Sequence, residues 1–454
     1  VKVLKFGGTS VGDAERIGRV ASLVEQAEEF GPPLVVVSAL GGVTDLLVSL
    51  GDAARRADRA AVDDALSRLR SRHEATVEAL GVEGDAKARC LKEVSAELLR
   101  LGDLSVGVSL LGELSPRISD ALAASGELLS SLLLVEALAA RGVSCVRIDP
   151  RDLLATNAGY GAALPDEKET LKHVEARAVP ELLGGRTVVT GGFVGAAPDG
   201  STTTLGRGGS DYSAALLGAA LHDARVRVEA IEIWTDVDGI LTADPRRVPG
   251  ARLVPEVSYA EAAELAFFGA KVLHPATIRP AVAREIPVVV RNTFHPASGG
   301  TVVRRHVPGT GVKALAAREG VAALFVGSPR MLLAHGFAAR VFGVFERLRV
   351  PVDVISTSEV SISITVDAKA PIDELVAELS EFSEVSVLRG LAVVSVVGMG
   401  LRTTAGIAAR IFGALRDVNI VLISQGASDT NLTFVVDEKD VTSALRSLHA
   451  ELFP

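Results

Sequence analysis

Apolar and polar positions change period along the chain, and each change marks an element. Val1 to Phe6 alternates like a strand and runs directly into Gly7-Gly8. Asp13 to Phe30 carries apolar residues at helical spacing. Leu34 to Ser38 is a short apolar run, the signature of a strand covered on both faces of a parallel sheet. Residues 43 to 140 read as mostly helical, and the charged stretch Arg55 to His73 reads as a solvated helix face. Strands are expected at Gly142–Ile148, Thr187–Gly192, Glu229–Thr235 and Val288–Asn292, with a helix at Asp211–His222. Alternating strands and helices predict an α/β fold in three layers around a mainly parallel sheet.

The pattern shifts near residues 295–312, where His295-Pro296-Ala297-Ser298-Gly299-Gly300 and Pro308-Gly309-Thr310-Gly311 are loop chemistry. An internal repeat follows. Gly336-Phe337-Ala338-Ala339-Arg340-Val341-Phe342-Gly343 recurs 70 residues later as Gly406-Ile407-Ala408-Ala409-Arg410-Ile411-Phe412-Gly413, identical at six of eight positions. The strands that follow recur in frame and end at Asp367 and Asp437. Two copies, each large enough to fold, predict tandem ferredoxin-like α+β domains and not a solenoid. The expected division is a catalytic domain at 1–300, a linker at 301–312, and two small domains at 313–385 and 386–454 that can exchange end strands.

Composition narrows the function. A length of 454 residues implies two or three domains. The net charge of -9 disfavours a nucleic-acid or membrane-surface partner. The two cysteines, Cys90 and Cys145, fit a reducing compartment. No unbroken run of ~18 apolar residues occurs, so no transmembrane helix is expected. The first residues lack a basic segment followed by an apolar one, so no signal peptide is read there, and the cytoplasm is the expected location. The eight histidines show no metal-ligand spacing; His274 and His295 read as loop or cap residues.

Four segments carry candidate chemistry. Lys5-Phe6-Gly7-Gly8-Thr9-Ser10 places a lysine at a strand end, then glycines whose backbone N–H groups can approach an anion, then a helix. It is not a Walker A order. Thr204-Leu205-Gly206-Arg207-Gly208-Gly209-Ser210-Asp211 surrounds a guanidinium fork with glycines, ahead of a helix that Ser210 could cap. Ser125-Gly126-Glu127 sets a carboxylate in apolar surroundings, suited to a substrate ammonium or to a helix N-terminus. Ile233-Trp234-Thr235-Asp236 ends a strand in polar groups at the sheet edge where open α/β sheets bind ligands. Taken singly, each of these also reads as an ordinary turn, loop or helix start.

Together they resemble the aspartokinases of the amino-acid kinase superfamily. KFGGTS at 5–10, SALGGVTD at 38–45, SGE at 125–127, TLGRGGSDYSA at 204–214, IWTDVDGI at 233–240 and FFGAKVLHPAT at 267–277 occur in that family's order across the chain. The final repeat resembles the family's two ACT domains. The resemblance implies an amino-acid kinase fold and ATP-dependent phosphorylation of the aspartate side-chain carboxylate, with Mg²⁺ carried by the nucleotide phosphates. By position, Lys5, Phe6, Gly7, Gly8, Thr235, Asp236, Leu241, Arg246 and Lys271 would face the nucleotide; Leu241 stands where the family often has a tyrosine. Thr44, Glu127, Phe193, Arg207, Ser210 and Asp211 would face aspartate, with Lys5, Arg207 and Asp211 as the catalytic set.

Met331-Leu332-Leu333-Ala334-His335-Gly336-Phe337 resembles the effector loop of lysine-sensitive members, Ala334 standing where a hydroxyl is frequent. Met331, Gly336, Phe337, Ala338, Val352, Asp353, Thr357, Ser358 and Glu359 form the implied effector set, which suits an amino acid with a cationic tail: lysine first, threonine second. The resemblance further implies a homodimer or dimer of dimers through the ACT domains, and a monofunctional enzyme, since no G-x-G-x-x-G segment follows Pro454. The alternatives weighed against it are another amino-acid kinase relative, acting on glutamate, carbamate or a nucleotide, and a non-catalytic amino-acid sensor.

Overall fold

The computed structural model describes residues 1–269, 273–327 and 335–454. They form two compact units: residues 1–239 with 274–305, and residues 240–273 with 306–454.

In the first unit the strands run across the sheet in the order Cys145–Arg147, Thr187–Gly191, Leu34–Val37, Lys2–Phe6, Ala230–Thr235, Val288–Asn292 and Thr301–Arg304. All neighbours are parallel except the last pair. The chain leaves Lys2–Phe6 toward one edge and later resumes on its other side. In such sheets ligands bind beyond the carboxyl ends of the strands, where the order reverses.

Alternation along Lys2–Phe6 sorts its side chains between two layers. Leu4 and Phe6 join Val35 and Val37 in a core filled by helices Ala14–Glu28, Val43–Arg55, Arg59–Ala79, Gly84–Leu111 and Ser125–Ala140. Val3 faces the other way, beneath helix Gly209–Asp223. There a Cβ on Gly218 would lie 2.6 Å from Ile231 Cδ1 and 3.6 Å from Val3 Cγ2. Lys5 shares the face of Val3, so its side chain points toward the start of that same helix.

Several expectations are adjusted. Asp13 caps its helix, accepting from Arg16 N–H, and the helix begins at Ala14. The strand expected at Gly142–Ile148 is shortened to Cys145–Arg147. Both cysteines are free. The lack of an unbroken apolar run predicts no transmembrane helix; among the described residues Pro116–Ala140 is long and apolar enough to cross a membrane by length and composition, but 78% of its most apolar window is buried inside the unit. It is two helices meeting at Ala124, and the second is buried on every side because it sits inside the core.

The second unit carries a six-stranded antiparallel sheet in the order Ile355–Thr357, Ser361–Asp367, Gly311–Gly327, Glu384–Met399, Asn431–Asp437, Ile420–Gln425. Two βαβ-type halves share it. Residues 321–327 pair with 361–367, whereas residues 311–318 pair with 393–399. The strand that precedes the first half thus completes the second. Each half has its own core: one around Phe337, Val341 and Leu375, the other around Ile411, Phe434 and Leu445.

Residues 240–273, grouped by sequence with the catalytic domain, pack with the second half. Ala243 and Val248 enter its core, Leu315 N–H donates to Thr242 O (2.8 Å), and Thr242 Oγ1 contacts His449 Nε2 (2.9 Å).

Pairing of 311–318 with 393–399 requires close backbone approach at one point. A Cβ on Gly398 would fall 2.0 Å from Gly311 O and 2.7 Å from Val312 Cα, both backbone atoms that no rotamer change can move. Gly398→Ala is therefore expected to lower stability by about 1–3 kcal/mol through overpacking, read as an earlier urea midpoint for the second unit. An unchanged midpoint would contradict this account of the shared strand.

Candidate active site

The site is assembled where four segments leave the carboxyl edge of the first sheet. The strand Lys2–Phe6 delivers Lys5, and its ammonium sits 2.7 Å from Asp211 Oδ1, with side chains only 11% and 16% exposed. Asp211 lies in the first turn of helix Gly209–Asp223. Ser210, expected to cap that helix, lies inside it. The cap is Gly208, whose left-handed φ of 74 follows a similar turn at Gly206 (φ 76), so the helix starts two residues earlier, at Gly209. Two left-handed glycines around Arg207 leave its side chain exposed, and among the described residues it enters no ion pair or hydrogen bond.

Glu127 comes from the opposite wall, in the first turn of helix Ser125–Ala140. It is 5% exposed, and its Oε2 is buried without a hydrogen-bond partner among the described residues. Burial pushes its carboxyl up to about 8, opposed by hydrogen bonding to the Ala39 backbone and by the charge of Lys5. Phe193 follows strand Thr187–Gly191 with φ 67, a conformation rare for a bulky residue, and is pinned there by donating its N–H to Ser213 Oγ (2.8 Å).

Lys5, Gly8, Thr44, Glu127, Phe193, Arg207, Ser210 and Asp211 line one cavity of about 370 Å³. Sequence reasoning placed each of these in the site. It quoted Ser38–Gly42 only within the motif at 38–45 and named no site residue there except Thr44 further on, whereas this turn after strand Leu34–Val37 forms another wall; its place beyond a strand end was the available signal. Phe6 gives its side chain to the core, where it stacks on Trp234. Thr235 and Asp236 end strand Ala230–Thr235 and bond to each other (Oγ1 to Oδ1, 3.2 Å). Leu241 and Arg246 belong to the second unit, where Arg246 pairs with Asp244 (2.7 Å). Lys271 lies outside the described residues, as does Met331 of the effector set.

The rest of the effector set surrounds the first half of the second unit. Gly336 caps helix Phe337–Arg347, on which Phe337 is buried and Ala338 exposed. Val352 and Asp353 lead into the edge strand Ile355–Thr357, followed by the turn Ser358-Glu359. Asp353 is held by Arg318 through two hydrogen bonds (3.0 and 2.9 Å). Burial raises its carboxyl above the ordinary range even so, with Arg318 opposing.

An anion fits the Lys5 side of the cavity. A Cβ on Gly8 would lie 2.9 Å from Ala39 O, and one on Gly7 would lie 3.5 Å from Lys5 Nζ. Glycine at both positions leaves the cavity side of the Lys5 ammonium, which is paired with Asp211 on its other side, uncrowded and lets backbone approach a phosphate. Opposite it, an unsatisfied buried carboxylate awaits a cation.

Residues 1–292 match the Amino acid kinase family, and residues 326–371 and 394–452 match an ACT domain. Fold and site thus define a small-molecule kinase joined to a regulatory ACT pair. The lysine-sensitive aspartokinase 3 of Escherichia coli K12 is 40% identical over 100% of this chain and 99% of its own. Crystal structures of E. coli aspartokinase III, one with lysine and aspartate (T-state) and one with aspartate and ADP (R-state), superpose with TM-scores of 0.83 and 0.80 at 39% identity, with both chains fully covered. The chain belongs to the aspartokinase family.

The raised Glu127 carboxyl has a consequence for stability. Below its ordinary value of 4.5 it is protonated folded or unfolded and contributes nothing. Between there and about pH 8 the unfolded chain ionises first, so folding is increasingly opposed; above pH 8 the full penalty remains. Glu127→Gln is expected to stabilise the unliganded protein by roughly 1–3 kcal/mol at pH 9, and by much less at pH 5. Melting temperatures at the two pH values decide it: equal differences from wild type would refute the unsatisfied buried carboxylate.

Proposed function

We propose that the chain transfers the γ-phosphoryl group of ATP to the side-chain carboxylate of L-aspartate, giving 4-phospho-L-aspartate, and is feedback-inhibited by an end-product amino acid, lysine before threonine. The reaction is the first step toward lysine, threonine and methionine. One observation carries the reading: in a chain 40% identical to a lysine-sensitive aspartokinase, Lys5, Glu127 and Arg207 line the same cavity.

The roles follow from charge. Aspartate presents one ammonium and two carboxylates. Arg207 takes the α-carboxylate with its planar fork, and Glu127 takes the ammonium. Cation binding opposite Glu127 favours its ionised form, so the proton held in the empty site is released on binding. The side-chain carboxylate is then left toward Lys5. It is already nucleophilic and needs no general base; the obstacle is repulsion between two anions. Lys5 and the backbone of Gly7-Gly8 offset that repulsion, and Asp211 keeps the ammonium aimed. Mg²⁺ would arrive on the nucleotide phosphates and add to this screening. Thr235, Asp236, Leu241, Arg246 and Lys271 are the proposed nucleotide-side positions. A homodimer or dimer of dimers through the ACT domains, in the cytoplasm, completes the proposal.

Lys5→Ala is expected to lower kcat about 10²–10³-fold, the range for removing one fixed transition-state contact, while lysine binding by the second unit is retained. Aspartate-dependent ADP release and lysine titration calorimetry measure the two effects; wild-type turnover would refute the assignment. Feedback offers a second test. A cationic effector tail reaching Asp353 must displace Arg318, so Arg318→Ala should lower the lysine concentration for half-inhibition by roughly three- to tenfold. A rise in that concentration would show that Arg318 assists binding.

A further inference from the structure

One buried carboxylate joins the two walls of the cavity without touching the cavity itself. Asp120 is 3% exposed and lies in helix Pro116–Ala123. That helix passes through Ala124 directly into Ser125–Ala140, so Glu127 stands seven residues further along a continuous helical path. The Asp120 oxygens reach across to the other wall. Oδ2 accepts from Thr204 N–H (2.9 Å) and Oδ1 from Thr204 Oγ1 (2.7 Å). Both oxygens accept from Gly161 N–H (3.0 and 2.9 Å).

Thr204 ends the short strand Thr202–Thr204, three residues before Arg207. The turn between them, Leu205-Gly206-Arg207-Gly208, has left-handed backbone at both glycines, so its course depends on how its root is held. Gly161 supports it from behind: a Cβ on Gly206 would lie 3.2 Å from Gly161 O, and Ala163 N–H donates to Thr204 O (2.8 Å).

Among the described residues no lysine or arginine forms an ion pair with Asp120. A buried carboxylate held only by neutral donors is a poor choice for stability alone, since an apolar or amide side chain would avoid the desolvation. What the carboxylate uniquely provides is acceptor capacity on both oxygens for donors from two separate segments.

We propose that Asp120 is a positioning residue for aspartate binding: it fixes the separation between Glu127 and the turn bearing Arg207, and hence the fit to a substrate that carries its ammonium and α-carboxylate on one carbon. This rests on the proposed roles of Glu127 and Arg207.

The test is steady-state kinetics of the full-length enzyme with both substrates varied, for Asp120→Asn and Thr204→Val beside Glu127→Gln and Arg207→Ala. Asp120→Asn should raise the aspartate KM at least about tenfold, since small misplacements of binding groups are amplified in this way, with the ATP KM within about twofold of wild type. Thr204→Val keeps the carboxylate and removes only the Oγ1 bond; it should shift the aspartate KM the same way by a few-fold, and it carries the test if Asp120→Asn does not melt cooperatively. A lowered melting temperature with aspartate KM unchanged, or equal rises in both KM values, would overturn the inference. If Glu127→Gln and Arg207→Ala also leave the aspartate KM untouched, the reading of the site falls with it. If those two raise it and the Asp120 and Thr204 variants do not, only the positioning role is lost.

Discussion

The ion pair between Lys5 and Asp211 is the constraint around which the catalytic unit is organised. A lysine nearly out of solvent at a strand end is costly unless a carboxylate meets it, and removing one partner from such a pair is far worse than never having built it. Alternation on the first strand sends Lys5 under helix Gly209–Asp223, and the pair ties the first turn of that helix, begun by the left-handed cap at Gly208, to the strand end. The helix start in turn fixes the Arg207 turn that precedes it, and through Ser213 it fixes the strained backbone of Phe193. Three walls of the cavity thus take their positions from one 2.7 Å contact. The same contact lets an empty site keep a cation ready for a phosphate without a bare charge in a partly dry cavity.

Much of this was legible in the sequence, because the informative residues stand at element ends. Lys5, Arg207 and Asp211 each sit beside glycines at a strand end or helix start, and glycine pairs mark where backbone must come close. Glu127 stood out as an acid within an apolar run. Other parts were not legible for physical reasons. Ser210 read as a helix cap because serine favours that position, but Gly208 can adopt the left-handed turn the loop demands. Asp120 gave no local signal, since its partners lie 41 and 84 residues away and are mostly backbone groups. Residues 240–273 continue a catalytic-domain motif in sequence yet pack in the other unit, a choice made by Ala243 and Val248 finding an apolar core there.

The regulatory unit shows why tandem repeats need not behave as two beads. Strand Gly311–Gly327 pairs in both halves of one sheet, with a break in register between Arg318 and Val321. At that break, Arg318 binds Asp353, a proposed effector position, and the next residue, Glu319, binds Arg247 (2.7 Å), beside Arg246, a proposed nucleotide-side position. Two consecutive residues therefore tie an amino-acid pocket to the turn at 244–247. An effector can shift an equilibrium only by what it gains in one state over the other, and under the proposed roles the Arg318–Asp353 pair is a cost that a cationic effector has to overcome in the state that holds it.

Asp120 and Glu127 show how one helical path can carry a carboxylate for structure and another for binding. They lie seven residues apart and are about equally buried. Asp120 has every donor it can use, so it is rigid and closed to any ligand. Glu127 is left with an unmatched oxygen, which raises its affinity for a proton and opposes folding above its ordinary pKa. Under the proposed role of Glu127, that deficit is what a substrate ammonium would remove on arrival, and instability in the empty enzyme would become selectivity in the filled one. A satisfied Glu127 would make a more stable protein with no reason to prefer an amino acid over a simple dicarboxylate. The contrast turns on partners: both Asp120 oxygens are met by Gly161 and Thr204, whereas Glu127 Oε2 meets no donor among the described residues.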